Sequence, residues 1–258
     1  MKKIFATIFF LALYSLSQAQ QKPDLTNWKL ETLPVGDLLN SANHSHDDWI
    51  FVKKDDKWLI EQNTFKREKG DNFPFTADFI DQNLKEIKGN RYVKKTPDGY
   101  LVGLNKGEFG GGLYFINNDG LAGYQIGKRL NIRSIFEHNW TIFSIEGLSH
   151  LGLQRGQIIQ IFQEDNLWKY KTLTQLIEAP RLIADYNDEK IIVTSQYILR
   201  FRQDLVVTEI LKSPMNWGGL YPSSIIIDNN DIYMAMRKGV LKIKAFDTLP
   251  EYEWYVPK

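Results

Sequence analysis

The amino-acid sequence predicts an all-β protein, and within that class a β-propeller whose blades are four-stranded antiparallel sheets. Three observations support this prediction. A strand, a tight polar turn and a second strand recur five times along the chain. Third and fourth strand-like runs follow most of these pairs. Beyond its first twenty residues the chain shows hardly any helical periodicity.

The five paired segments align with one another and start 43, 41, 49 and 43 residues apart. Four antiparallel strands repeated at about 40–50 residues are typical of propeller blades. A β-sandwich would also supply many short strands, but not a regular four-strand period. The segments are DWIFVKKDDKWLIEQ from Asp48, RYVKKTPDGYLVGLN from Arg91, IRSIFEHNWTIFSIE from Ile132, RLIADYNDEKIIVTS from Arg181 and SIIIDNNDIYMAMR from Ser224.

The runs that follow the pairs complete the predicted blades. The third runs include GGLYFINNDG, GQIIQIFQEDN, YILRFRQD and GVLKIKAF. The fourth runs include AGYQIGKRL, LWKYKTLTQL, VVTEILKS and EYEWYVP.

The blade count depends on how the N-terminal stretch NWKLETLPVGDLL (27–39) is used. This stretch resembles the fourth run LWKYKTLTQLI. It would either seal the ring by pairing with the last blade or belong to an incomplete extra blade. Either use would cover a sheet edge that otherwise invites aggregation. We expect five blades, with six as the alternative, in one domain over residues 20–258.

The first nineteen residues have the pattern of a cleaved export signal. Lys2 and Lys3 are followed by an apolar run and by the small-residue sequence Ser17-Gln18-Ala19. The apolar run is shorter than the roughly 20 residues that a membrane span needs. We therefore expect cleavage near Ala19, a periplasmic or secreted protein, and no membrane span.

Composition narrows the classes of partner. The chain has no cysteine, which excludes disulfides, thiolate metal sites, cysteine nucleophiles and lipid attachment at the cleavage point. Its 32 basic and 31 acidic residues are interspersed, so no basic stripe favours nucleic acid or an anionic membrane. We expect a monomer that binds a small molecule or a peptide segment.

Strand counting sorts the loops onto two faces of the disc. In an up-and-down meander, the one-to-two and three-to-four turns lie on one face, and the two-to-three loops and blade links lie on the other. The first face receives compact polar turns such as PDG (97–99) and NND (229–231). The second face receives longer, glycine-rich loops, and function tends to lie on such loops. These loops are NKGEFGGG (105–112), EGLSHLGLQRG (146–156), RKG (237–239) and SPMNWGGLYPSS (213–224).

Four motifs, GEFGGGLYF, GLSHLGLQRG, WGGLYPSS and MRKGVLKI, together resemble those of a family of exported bacterial β-propeller proteins. The resemblance covers most of the chain from about Gly89 onward. It implies a propeller fold and export, and it implies no reaction. The stretch PSSIIIDNNDIYMAMRKGVLKI is more loosely similar to NHL-type and gluconolactonase-type propellers, a pattern that mainly records blade packing.

Glu108 lies in the loop GEFGGG, beside Phe109. Its carboxylate could act as a general base, a cation ligand or an acceptor for substrate hydroxyls, because the glycines let backbone approach a ligand. The alternative is a structural bulge in which Glu108 pairs with Arg237 or Arg155. A strand rather than a helix follows the glycines, which argues against a phosphate-binding loop.

The other candidates come from the same predicted face. His150 suits acid–base work or a structural hydrogen bond at a loop base. Trp217 and Tyr221 suit ring stacking against a ligand or a hydrophobic plug between blades. Arg237 suits a carboxylate or phosphate through its guanidinium fork, or an ion pair with Glu108. Phe109 and Arg155 complete the predicted ligand-binding set of Glu108, Phe109, His150, Arg155, Trp217, Tyr221 and Arg237.

Metal binding has weak support in the sequence. His44 and His46 would share a face if they lay on a strand, but further zinc ligands are missing. We therefore assign no metal ligands. A divalent cation in the central channel stays open, because such a site draws its ligands from separated blades.

Three functions fit these observations. The first is binding of a small polar ligand or a peptide segment on the loop-rich face. The second is a hydrolase, lactonase or lyase acting there on a sugar-like substrate, with Glu108, His150 and Arg237 nearest the chemistry. The third is a protein-interaction scaffold, which predicts an exposed apolar rim.

Overall fold

A computed structural model describes residues 22–64, 73–87 and 91–258. The predicted export signal, residues 1–19, lies outside the described residues, so its cleavage stays a prediction. Most strands are short, and several contain runs of consecutive buried residues, as expected of strands packed on both faces. In chain order they are β1 (Trp28–Glu31), β2 (Trp49–Lys54), β3 (Lys57–Gln62), β4 (Arg91–Lys95), β5 (Gly99–Asn105), β6 (Gly111–Asn117), β7 (Gly123–Lys128), β8 (Ile132–His138), β9 (Thr141–His150), β10 (Leu153–Glu164), β11 (Leu167–Leu176), β12 (Leu182–Tyr186), β13 (Glu189–Val193), β14 (Tyr197–Phe201), β15 (Val207–Lys212), β16 (Ser224–Asp228), β17 (Asp231–Met236), β18 (Gly239–Lys244) and β19 (Glu251–Pro257).

Five antiparallel sheets contain these strands. Three are four-stranded meanders, β4 to β7, β8 to β11 and β12 to β15. The fourth is the pair β2 and β3, and the fifth has the order β1-β19-β18-β17-β16. The prediction of an all-β fold with four-stranded antiparallel sheets is confirmed.

The first strands of the sheets lie together at the centre of the molecule. Strand β8 contacts β4 and β12, β12 contacts β16, and β16 contacts β2. Each meander then leads outward from its first strand, which is the radial arrangement of a β-propeller. Apolar clusters fill the spaces between neighbouring sheets; the largest includes Ile191, Met234 and Trp217.

The N-terminal strand joins the last sheet. Strand β1 pairs antiparallel with β19, and Trp28 lies opposite Pro257. The likeness of residues 27–39 to a fourth strand holds only for this first part. Residues Asp37–Asn43 form helix α1 instead, directly after Gly36, which has a φ of 55°.

The first repeat also departs from the four-strand pattern. Its described residues give β2 and β3, followed by helix α2 (Ala77–Asn83) and a short 3₁₀ turn (Lys85–Ile87). The hydroxyl of Thr76 accepts a hydrogen bond from the backbone N–H of Phe79 at 3.2 Å, which caps this helix. Neither helix in the described ranges is long and apolar enough to cross a membrane.

Candidate functional site

The loop that carries Glu108 is a 3₁₀ turn over Gly107–Phe109 between β5 and β6. Gly107 and Gly110 have φ angles of 58° and 90°, which favour glycine and turn the chain back on itself. The N–H of Lys106 donates to the carbonyl of Gly110 at 2.8 Å and closes the loop. The turn therefore presents Glu108 and Phe109 outward in a defined geometry.

Asn131 fastens this loop to the next blade. Its buried amide donates to the carbonyl oxygens of Gly107 and Gly110, at 2.6 Å and 3.1 Å, and to the side-chain oxygen of Asn105 at 3.3 Å. Sequence reasoning missed Asn131. The only local signal is its place immediately before the third aligned segment, because its partners lie more than twenty residues away.

The glycines that follow serve packing. A methyl group at Gly111 would lie 2.3 Å from the carbonyl oxygens of both Leu104 and Leu130. Close backbone approach therefore requires glycine here, as the structural interpretation of GEFGGG proposed. The strand irregularity lies further on, between Leu113 and Tyr114, where the register of β6 with β7 shifts.

Glu108 and His150 are brought together from neighbouring blades. The Oε2 atom of Glu108 lies 2.6 Å from Nε2 of His150. His150 ends β9, and the following turn is a tight hairpin in which Leu151 and Gly152 both have positive φ. Neither side chain is buried, so the pair faces solvent and is accessible to a ligand.

This pair lines a cavity of about 290 Å³ between the first and second four-stranded meanders, β4 to β7 and β8 to β11. Its walls combine a carboxylate, an imidazole, a hydroxyl and a guanidinium with the exposed ring of Phe109. Small-molecule pockets begin at about 300 Å³, so the cavity suits a small ligand. The lining residues are Lys106, Gly107, Glu108, Phe109, Arg133, Leu148, Ser149 and His150.

Arg133 was not among the predicted site residues, yet it forms part of the cavity wall. It is the extra residue of a β-bulge: Ile132 pairs with Glu146 and Ser134 with Ile145, so Arg133 has no partner in the ladder. A bulge re-aims a side chain at such a position. Its Nε atom is buried and has no hydrogen-bond partner among the described residues.

Arg155 does not act as expected. Its guanidinium donates to both carboxylate oxygens of Glu146, at 2.9 Å and 3.1 Å, and to the side-chain oxygen of Asn131 at 3.1 Å. Glu146 is almost fully buried and also accepts from Gln157 at 2.8 Å. Arg155 is therefore part of a network beneath the loops, where it supports Asn131, and its role in ligand binding stays a prediction.

Arg237 is also placed differently from the prediction. Its Nε donates to Asp48 at 3.2 Å, and its Nη1 donates to the carbonyl of Asn43 at 2.6 Å. Arg237 thus ties the end of α1 and the start of β2 to the last sheet. It does not pair with Glu108, and it is not part of the Glu108 cavity wall.

The two aromatic candidates, Trp217 and Tyr221, differ in how far they are buried. Trp217 is 0% exposed, and its indole N–H donates to the carbonyl of Thr194 at 2.9 Å, so it is the hydrophobic plug and not a stacking platform. Tyr221 follows the 3₁₀ turn Trp217–Leu220 with a φ of 53° and remains 52% exposed. The Arg237 guanidinium lies 4.5 Å from the Tyr221 ring centre.

The two histidines considered for metal binding are not on a strand. His44 caps the C-terminus of α1, and its Nδ1 lies 2.7 Å from the carbonyl oxygen of Asn40. The spacing of His44 and His46 therefore does not place them on one face. Within the described ranges, no group of three or more histidine or acidic residues is arranged to hold a metal ion.

No protein-family model matches the chain, and no curated protein matches its sequence. Among solved structures, virginiamycin B lyase from Staphylococcus aureus is similar at 15% identity, over 65% of this chain and 55% of that one, with a TM-score of 0.40. A catalytically inactive variant of that lyase with quinupristin is similar at 14% identity, over 90% of this chain and 75% of that one, with a TM-score of 0.41. A luciferin-regenerating enzyme is similar at 13% identity, over 66% of this chain and 64% of that one, with a TM-score of 0.42.

The chain spans less than two thirds of the length of the first lyase structure and of the luciferin-regenerating enzyme. All three TM-scores lie below 0.5, so these likenesses assign no chemistry to the chain.

Proposed function

We propose that this protein is an exported, five-bladed β-propeller that binds a small polar ligand in the cavity formed by Glu108, His150 and Arg133. The observation that carries the proposal is the convergence of these three groups, from two neighbouring blades, on one open cavity of about 290 Å³. A few polar groups converging beside an apolar wall are what a small-molecule site requires.

The surroundings of the cavity support binding over a purely structural role. The Glu108–His150 pair is half exposed, and it closes no apolar core. Phe109 is 84% exposed at the rim, although folding would favour its burial. Asn131 fixes the loop beneath both residues, so the site is held in shape before a ligand arrives.

A thermal-shift screen of the protein against sugars, polyols, short peptides and organic acids tests the proposal, because a ligand of the folded state raises apparent stability. We expect a saturable rise for the wild type. Glu108→Gln and His150→Asn should weaken the affinity for the same compound about tenfold each, because a hydrogen bond to a charged group contributes about 1.5–3 kcal/mol.

Glu137→Gln provides the matched control for Glu108→Gln. Both carboxylates are similarly exposed and each contacts one nitrogen-bearing side chain, but Glu137 pairs with Lys94 near the β8–β9 turn, on the opposite face. Equal loss of affinity in both glutamine variants would contradict the proposed site, and so would an unchanged affinity in Glu108→Gln.

The short contact between Glu108 and His150 favours a second function at the same place. A carboxylate that orients an imidazole is a common arrangement for general acid–base catalysis. We infer a hydrolase, lactonase or lyase activity on a sugar-like substrate as the alternative. To test this alternative, the protein is incubated with a panel of lactones and unsaturated sugars, and the reaction is monitored through proton release and through the change in absorbance. Turnover that His150→Asn abolishes supports the enzyme, and saturable binding without turnover supports the binding protein.

A further inference from the structure

Two arginines at the inner end of the loop-rich face have no acidic partner. Arg133 lies on β8 and Arg181 directly precedes β12, and these two strands are neighbours at the centre of the molecule. Within the described ranges, neither guanidinium forms an ion pair with a carboxylate. Arg181 instead donates from Nε to the hydroxyl of Ser195 at 3.1 Å.

The positive charge of Arg133 acts on the Arg181 guanidinium across the contact between β8 and β12. Burial lowers the pKa of Arg133, against an opposing effect of the Tyr92 hydroxyl. Burial also lowers the pKa of Arg181, and the positive charge of Arg133 lowers it further. Two desolvated like charges are unfavourable until an anion lies between them.

The nearby carboxylates do not supply this anion. Glu146 is occupied by Arg155, as described above. Glu178 is buried and accepts from the hydroxyl of Thr194 at 2.8 Å and from the backbone N–H of Gln196 at 2.9 Å. Its carboxylate is thus already satisfied, and it offsets the charge of Arg181 only at a distance.

We propose that Arg133, in the wall of the Glu108 cavity, and Arg181, on the neighbouring blade and outside that wall, form an oxyanion subsite at the inner end of the cavity, so that the ligand carries a carboxylate or a phosphate group. The fork of a guanidinium matches either group with two parallel hydrogen bonds. The Arg181 guanidinium also lies 5.9 Å from the centre of the Tyr221 ring. This inference rests on the proposed binding function and names the chemical class of its ligand.

Isothermal titration with acetate, succinate and inorganic phosphate, at an ionic strength held constant with chloride, tests the subsite. We expect saturable binding of at least one of these probes to the wild type. Arg133→Gln and Arg181→Gln should each weaken it at least tenfold. Binding of phosphate alone identifies a phosphate-bearing ligand, and binding of the carboxylates identifies a carboxylic acid.

Arg202→Gln is the matched control, because Arg202 is an exposed arginine paired with Asp204 in the turn after β14, on the opposite face. It should bind the probes as the wild type does. Arg133→Gln should also unfold at the same temperature as the wild type or at a higher one, because it removes the repulsion with Arg181. If Arg133→Gln does not fold, Arg133→Lys keeps the charge without the fork and should weaken binding by an intermediate factor.

Three outcomes overturn the subsite: no saturable binding of any probe to the wild type, unchanged binding in both arginine variants, or an equal loss in Arg202→Gln. Glu108→Gln separates this result from the proposed function. If neutral ligands lose affinity in Glu108→Gln and no anion loses affinity in Arg133→Gln, the proposed cavity is supported and the subsite is rejected. If anions lose affinity in Arg133→Gln but not in Glu108→Gln, the subsite is supported and the cavity as proposed is rejected.

Discussion

At the scale of single residues, two tryptophans show how differently the same side chain is used. Trp217 is 0% exposed, and it packs in the largest apolar cluster with its indole N–H bonded. Trp140 is 97% exposed in the β8–β9 turn. The first should contribute strongly to stability and the second hardly at all.

Replacing Trp217 by alanine should lower the free energy of unfolding by about 3–5 kcal/mol, because it leaves a large cavity and an unpaired carbonyl at Thr194. Trp140→Ala should change it by no more than about 0.5 kcal/mol. Urea denaturation followed by far-ultraviolet circular dichroism measures both. A Trp217→Ala protein as stable as the wild type would contradict the assignment of this residue as a plug.

The glycines also differ in how strictly packing requires them. Gly111→Ala should destabilise the fold by about 1–3 kcal/mol, because the added methyl group meets two carbonyl oxygens of the backbone. Gly219→Ala is the control, since a methyl group there meets no atom within 4 Å. It should unfold within about 0.5 kcal/mol of the wild type. Thermal unfolding of the two variants decides whether the glycines after Glu108 are required by packing.

At the scale of elements, the last sheet carries cross-strand ion pairs that should respond to pH. On β19, Glu253 accepts from Lys244 at 2.6 Å and from the Tyr255 hydroxyl at 3.0 Å, and lies 3.7 Å from Lys242. Burial alone would raise the pKa of Glu253, but these hydrogen bonds and charges outweigh it and hold the pKa below its usual range.

Because the pKa of Glu253 is lowered in the folded state, its ionised carboxylate stabilises the fold and protonation removes that stabilisation. Glu253 stabilises the fold fully above its unfolded-state pKa, about 4.3, and this stabilisation is lost as the pH falls through the lower folded-state value. Glu253→Gln should therefore be about 0.5–1 kcal/mol less stable than the wild type at pH 7 and equal to it near pH 3.

Urea midpoints measured from pH 3 to pH 7 test this expectation. Glu209→Gln is the control, because Glu209 is exposed on β15 and has no ion pair among the described residues. Its difference from the wild type should stay small at every pH. A Glu253→Gln difference that does not vanish in acid would show that the side chain acts through packing rather than charge.

In the molecule as a whole, β1, the most N-terminal of the described strands, covers an edge of the last sheet. Residues more than two hundred positions apart pair across β1 and β19, as Lys29 does with Val256 and Leu30 with Tyr255. Without β1, the edge of β19 would expose unpaired N–H and C=O groups. The N-terminal strand should therefore matter for solubility as well as for stability.

Proline substitutions test this closure with an internal control. Consecutive residues of a strand direct their N–H groups to opposite edges, so only one of Lys29→Pro and Leu30→Pro removes a hydrogen bond to β19. That variant should lose on the order of 1 kcal/mol and scatter more light on heating. Two variants that both match the wild type in urea midpoint and in scattering would show that β1 contributes nothing to closure.

Much of the fold follows from local signals. Each paired segment carries its own strands and turn residues, so the positions of β4 and β5, or of β16 and β17, are visible without any long-range information. The two helices were not visible. Each is only seven residues long, too short for a helical period to stand out.

The candidate site was predictable only as a set of loops. Alternation of strand direction assigns the Glu108 loop and the His150 turn to one face, and they are in contact. The partners of the charged residues could not be assigned in the same way. Arg155 pairs with Glu146, and Arg237 with Asp48, through strand register and blade packing.

The all-β class, the repeated strand pairs and the face on which the glycine-rich loops lie follow from the amino-acid sequence, because they depend on periodicity and turn chemistry within short segments. The plug formed by Trp217, the hold of Asn131 on the Glu108 loop and the bulge at Arg133 became visible only in the folded chain. Their partners lie far apart along the chain. Burial, bulges and ion pairs arise between residues that folding brings together from different blades.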